Sequence, residues 1–98
     1  MTVDWTEFAL DRVDEIAAHI AEDDRGVTVR WTVGLFEAVD RLAEFSESER
    51  MVPELETQEV RELLYGAYRV FYHVGPNVEV LNIQHGSRLL RPDELRGD

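Results

Sequence analysis

Residues 60–88 read VRELLYGAYRVFYHVGPNVEVLNIQHGSR, and the reading of this stretch decides the fold. Val60–Tyr65, Tyr68–Val74 and Val78–His85 are rich in Val, Leu, Ile, Phe and Tyr, side chains that suit a pleated, half-buried surface. Gly66-Ala67 and Gly75-Pro76-Asn77 separate them and carry turn chemistry, too short to join anything but antiparallel neighbours. A three-stranded meander is predicted. Its first hairpin has two candidate registers. If Tyr65 pairs with Tyr68 across a two-residue turn, Arg61 shares a face with Tyr68, Val70 and Tyr72. If Leu64 pairs with Tyr68 across a three-residue loop, Arg61, Leu63, Arg69, Phe71 and His73 fall together. One residue of slip exchanges the faces. The second register is the expected one, because it leaves Tyr68, Val70, Tyr72 and Val74 for the helices.

Upstream of the meander the period changes. Thr2 to Trp5 is a short candidate strand, and Thr6 is a candidate N-cap with Glu7 placed at the positive end of the helix that follows. Phe8, Ala9, Val13, Ile16, Ala17 and Ile20 recur three or four apart, the mark of an amphipathic helix whose wet side carries Asp11, Asp14, Glu15 and Glu22. Asp24 is placed to cap a second helix reaching about Phe45, with Val27, Trp31, Leu35, Ala38, Val39 and Leu42 as its apolar stripe. So short a joint predicts an antiparallel helical hairpin, and the one large apolar surface available to it is a face of the meander. Residues 46–58 are polar, contain Pro53 and read as an irregular link that Met51, Val52 and Leu55 could pin to the body. The fold class is α+β in the order β-α-α-β-β-β, a helical hairpin packed on a mainly antiparallel sheet. One domain is expected over residues 1–90, with a polar tail over 91–98 that could start a short helix near Pro92.

Charge is the unusual bulk property. The 98 residues carry 21 Asp and Glu against 10 cations, a net charge of −11, and every cation is Arg. Residues 1–56 hold fifteen of the acids against five Arg, residues 57–98 six against five. Such a field opposes attachment to nucleic acid, which relies on cations displacing phosphate counterions, so direct sequence-specific nucleic-acid binding is not expected. A GC-rich genome or a salt-adapted proteome is the plainer account of this composition; an acidic helix face that meets a basic partner is the functional one. There is no cysteine, hence neither a thiolate nucleophile nor a Cys-type zinc site. No apolar run approaches membrane-spanning length and no basic-then-apolar leader opens the chain, so a cytoplasmic protein without a membrane partner is expected.

Few residues suggest chemistry. Arg61 and Arg69 on neighbouring strands could form a rigid donor pair for a carboxylate or phosphate, or could each be tied up across strands by Glu62 or Glu79. His85 ends a strand beside Gly86, and Arg88 follows three residues later. His19, His73 and His85 are scattered without ligand-like spacing, so neither a metal nor another cofactor is assigned. Tyr65, near a turn tip, is the aromatic residue that periodicity does not place in the core.

The order Arg61-Glu62-Leu63, Tyr68-Arg69-Val70-Phe71-Tyr72 and His85-Gly86-Ser87-Arg88 resembles the ParE/RelE superfamily of toxins from type II toxin–antitoxin pairs. The Trp5-Thr6 helix start and the link Arg50-Met51-Val52-Pro53-Glu54-Leu55 agree with it, so the likeness runs from Val3 to Leu90. The long helical hairpin and the His-Gly-x-Arg ending favour the ParE-like branch. That branch implies a non-enzymatic toxin that inhibits DNA gyrase, serves plasmid stabilisation, and is neutralised by a small ParD-like antitoxin whose disordered segment folds along it. Arg61, Arg69, His85 and Arg88 are then the candidate target-binding residues, with no catalytic residue. A homodimer and a toxin–antitoxin heterotetramer are both compatible. The RelE-like branch implies instead a ribosome-dependent messenger RNA endonuclease. Against it, Leu63 stands where a second lysine is expected and no tyrosine follows Arg88. A protein-binding module that keeps the fold without toxicity is the third reading.

Overall fold

The computed structural model describes residues 1–57 and 59–95. The expected tail over 91–98 is thus described to Leu95 only; its last three residues, and Gln58 of the link, lie outside the described residues. The chain forms β1 (Val3–Trp5), α1 (Glu7–Asp23), α2 (Arg25–Asp40), one further turn α3 (Leu42–Phe45), β2 (Arg50–Met51), β3 (Val60–Tyr65), β4 (Tyr68–Val74) and β5 (Val78–His85), then a 3-10 turn over Pro92–Leu95. The strands make one sheet in the order β1-β5-β4-β3-β2. β1 runs parallel to β5, and the other neighbours are antiparallel. This is the predicted α+β arrangement with an added edge strand, since the link supplies β2.

Both helices begin where the sequence has a cap. The Thr6 hydroxyl accepts the Ala9 N–H at 3.0 Å, and Asp24 Oδ1 accepts those of Gly26 and Val27 at 2.8 and 3.1 Å. Each satisfies helix-start donors that no carbonyl can reach. Asp24 alone, in an extended conformation, separates the two helices. Thr28 Oγ1 donates to the Ala17 carbonyl at 2.7 Å and ties them side by side. Their apolar stripes meet the sheet in a core that includes Val13, Ile16, Leu35, Val39, Val70, Tyr72, Val80 and Ile83.

The first hairpin corrects the expected register. Tyr65 pairs with Tyr68, so the turn has two residues, and Leu63, Leu64 and Arg61 stand opposite Val70, Arg69 and Tyr72. Gly66 is the reason: its φ of +55° is the left-handed conformation that a two-residue turn requires and that an L side chain rarely adopts. Tyr68, Val70 and Tyr72 face the helices as anticipated. Arg61 and Leu63 join them there, while Glu62, Leu64, Arg69 and Phe71 take the opposite face. Arg61 and Arg69 therefore do not form a pair. In the link, Val52 is buried and Leu55 partly so, but Met51 remains exposed and pins nothing.

Tyr65 is also placed. It lies half-buried with its hydroxyl donating to the Trp31 carbonyl at 2.9 Å, at the point where α2 comes closest to β3. Gly34 permits that approach, since a Cβ there would collide with the Tyr65 hydroxyl. Gly34→Ala is expected to destabilise the fold by about 1–3 kcal/mol despite alanine's better helix propensity. Adding Tyr65→Phe removes the collision, so the double variant should unfold at a higher urea concentration than Gly34→Ala alone. A double variant no better than the single one would mean that Gly34 is not needed for this contact.

Candidate functional site

The sheet has a second face, and its chemistry begins with two charges that the two-residue turn buries there. Glu62 has no exposed surface and Arg69 only 6 %. Removing a carboxylate and a guanidinium from water is costly unless nearly all their hydrogen-bonding capacity is filled. Here it is filled from three segments of chain. Arg69 Nε donates to Glu62 Oε2, and Arg50 of β2 donates from its own Nε to Glu62 Oε1. Glu54 of the link takes Arg69 in a two-pronged grip, Nη1 and Nη2 each at 2.7 Å. Its Oε2 also accepts the Leu90 N–H at 2.8 Å, and the Arg88 carbonyl accepts from Arg69 Nη1 at 3.3 Å. The guanidinium carbon lies 4.8 Å above the Phe71 ring, a cation–π contact that covers its remaining face.

This arrangement fixes protonation states. Arg69 hydrogen bonds hold the Glu54 carboxyl at about 2, against an ordinary value of 4.5. The same contacts, with Glu62, push the Arg69 guanidinium above its usual range. Four of the five guanidinium N–H groups of Arg69 are committed, so it is a structural cation with little left to offer a ligand.

The other expected site residues separate from it. Arg61, on the helix-side face, donates to the carbonyls of Glu47 and Glu49 at 3.3 and 2.8 Å and closes the start of the link. Tyr72 does likewise from its buried position, donating to the Ser46 carbonyl at 2.8 Å; burial pushes its hydroxyl up to about 12, so it stays a donor at neutral pH. His85 and Arg88 remain in contact with solvent. His85 Nδ1 accepts the Ser87 N–H at 3.1 Å and sits 2.7 Å from Ser87 Oγ, a closed local turn. Its ring meets Tyr68 edge-on at 5.6 Å, and Tyr68 meets Trp31 at 5.3 Å, so an aromatic ladder steadies the turn from the helix side. Arg88, with half its side chain exposed, reaches Glu94 at 2.7 Å.

Ser87 and Arg88 thus stand on a turn beside an open cleft of about 470 Å³, bordered also by Arg50, Glu54 and Arg69; His85, against Tyr68 on the helix side, does not line it. A second cleft of similar size lies between Leu55, Leu81 and Leu95, with His73 and Glu79 at its edge. His73 faces Glu79 across the strands as expected, and its Nε2 lies 3.8 Å from Glu59. Among the described residues no three His, Asp or Glu side chains gather as metal ligands, and no helix is long and apolar enough to cross a membrane. Arg50 and Glu54 are the site residues the sequence did not single out. Their signal was faint: two charges flanking Val52 and Pro53 in a link that must cross an apolar sheet face.

Three comparisons bear on this geometry. The family model described as "ParE toxin of type II toxin-antitoxin system, parDE" matches residues 3–90. A Sinorhizobium fredii protein described as "Putative toxin Y4kP" is 36 % identical over 83 residues, 83 % of each chain. A solved structure titled "Chromosomal ParDE TA system from P. aeruginosa" superposes with a TM-score of 0.74 at 21 % identity, covering 87 % of this chain and 95 % of the other, and so supports the fold.

The Glu54 clasp predicts an acid-sensitive fold. A carboxyl whose pKa is lowered in the folded state contributes its stability above the unfolded value and loses it as pH falls toward the folded one. Between about pH 4.5 and 2 the chain should lose on the order of 2 kcal/mol through Glu54. Glu54→Gln should lower stability at pH 7 and flatten this part of the profile, measured by urea unfolding at each pH. An unchanged profile in the variant would remove Glu54 as the source.

Proposed function

The chain belongs to the ParE toxin family of type II toxin–antitoxin systems, and we propose that it acts by binding DNA gyrase rather than by breaking a bond, with a ParD-like antitoxin as its neutralising partner. The observation that carries the non-enzymatic part is the commitment of Arg69 to Glu54 and Glu62. Phosphodiester cleavage needs cations free to meet the charge that develops on phosphorus, and groups that move protons. The most rigidly held guanidinium of this sheet is neutralised twice over, Arg61 serves the backbone of the link, and residues 89–98 contain no tyrosine. A ribosomal RNA surface would also repel a protein of charge −11.

The residues left to touch a target are His85 and Arg88, on a turn braced by Ser87 and Tyr68. Such a turn suits protein recognition, in which an anchored aromatic or arginine side chain contributes most of the affinity. Away from that turn and the cleft beside it, the antitoxin has two further places to lie. One is the exposed α2 face with Val29 and Val33, which fits an amphipathic helix. The other is the outer edge of β1, whose strand has a neighbour on one side only and could accept an added strand.

Inducing the chain alone in a susceptible host is expected to arrest growth with a DNA-damage response, and the purified chain to inhibit gyrase supercoiling. His85→Ala with Arg88→Ala should reduce both effects at least tenfold while lowering stability by no more than about 1–2 kcal/mol, so that the chain stays folded. Co-expression with the product of the adjacent reading frame should relieve the arrest. Arrest accompanied by messenger cleavage would replace this reading with the ribonuclease one, and no arrest at all would leave a non-toxic binding module.

A further inference from the structure

The cleft beside Ser87 inverts the charge pattern of the rest of the molecule. Its cations face outward: the Arg50 and Arg88 side chains are 55 % and 50 % exposed. Their carboxylate partners are turned inward, Glu62 at 0 % and Glu94 at 15 %, and Glu54, which holds Arg69 against the cleft wall, is also at 15 %. Both outer guanidiniums keep unused N–H groups. Arg50 commits only its Nε and Arg88 only its Nη2 to partners among the described residues. Around them the surface is apolar, with Leu89 at 73 %, Leu64 at 54 % and Pro53 exposed. Leu64 stands directly opposite Arg69 in the hairpin, on this same face.

From this pattern we infer that the cleft is the docking site for an acidic, apolar-flanked segment of the antitoxin, with an Asp or Glu carboxylate on Arg50 and Arg88 and an apolar side chain between Leu64 and Leu89. The inference rests on the toxin–antitoxin reading and extends it. A carboxylate matches the planar fork of a guanidinium, and its single charge suits a cluster whose buried acids already balance most of its cations. A polyanion fits poorly, because successive phosphates would leave the two exposed arginines and run into the field of a chain carrying −11. The same field makes the contact selective. An acidic segment is repelled along α1, where Asp11, Asp14, Glu15 and Glu22 face solvent, and is drawn to the outward-facing Arg50 and Arg88 of the cleft, where the apolar flank adds to the attraction. A segment seated there lies against Ser87 and Arg88. It would cover the turn proposed to meet the target, and occlusion would then be the means of neutralisation.

The test titrates the purified product of the adjacent reading frame into the full chain by calorimetry, for the wild type, Leu64→Ser with Leu89→Ser, and Arg88→Gln. All three replaced side chains are exposed, and unfolding midpoints equal to the wild type would confirm that the fold is kept. Each variant is expected to lose at least tenfold in affinity, and Arg88→Gln to show a weaker salt dependence than the wild type. Wild-type affinity in both variants overturns the inference and leaves the toxin–antitoxin reading standing. No complex with the wild-type chain overturns that reading and this inference with it. A single-stranded decauridylate that binds the chain and is displaced by the antitoxin, with Arg88→Gln weakening it, would assign the cleft to nucleic acid and overturn the inference as well.

Discussion

A glutamate with no contact with water, hydrogen-bonded to an arginine nearly as buried, is the constraint on which the helix-free half of this molecule depends. Neither charge can be left half-satisfied, because one unpaired partner in such a pair costs about 3–5 kcal/mol. The β3–β4 hairpin alone supplies only Glu62 and Arg69. Arg50 from the edge strand, Glu54 from the link and the backbone of Arg88 and Leu90 complete the set. An otherwise irregular link and the segment after β5 are thereby drawn onto one face of the sheet. Val52, Val60, Phe71 and Leu90 then close a small second core beneath them. Polar satisfaction fixes where these segments go, and apolar burial adds to it once they are there.

That constraint follows from one residue of turn geometry. With Gly66 in the left-handed region, β3 and β4 join through two residues, and Glu62 and Arg69 share a face. In the alternative register Glu62 would point toward the helices, among Val70 and Tyr72, with no arginine to meet it. The register is therefore held from both ends. The turn admits it, and the buried pair penalises any slip.

The fold was legible in the sequence wherever a periodic pattern coincided with a local signal. Thr6 and Asp24 mark the helix starts, Trp31, Leu35, Ala38 and Val39 of the expected stripe mark the packed side of α2 although Val27 at its start is exposed, and the two glycine turns mark the meander. The hairpin register was not legible, because Tyr68, Val70 and Tyr72 face the helices in the two-residue register as well, so their burial, on which the expected register rested, does not choose between alternatives that differ only in where β3 puts its alternate residues. The candidate site was readable as a set of residue types but not as an arrangement. Arg69 stood out as a cation on a strand, yet its two carboxylates come from positions 7 and 15 residues away, and Glu54 lies in a stretch without periodicity. A two-residue edge strand such as Arg50–Met51 is too short to produce any alternation at all. The exposure of His85 and Arg88 could be expected, because a turn beside a glycine keeps side chains at the surface whatever the register does.

Seen as charge, the molecule has two parts with different tasks. α1 carries six acids, most of them on a solvated face that resists nonspecific contact with polyanions, while around the cleft Glu54, Glu62 and Glu94 are turned inward and Arg50 and Arg88 point outward. An arginine gripped by two carboxylates cannot follow a reaction that moves charge, but it is an unusually stiff wall for a cleft, since shifting it would break four hydrogen bonds together. On the proposed reading that stiffness is useful. A site that only binds gains affinity when its walls are already in place and no side chains remain to be ordered. The ion network that uses up the sheet's rigid cation thus also builds the surface on which Arg50 and Arg88 can meet a partner.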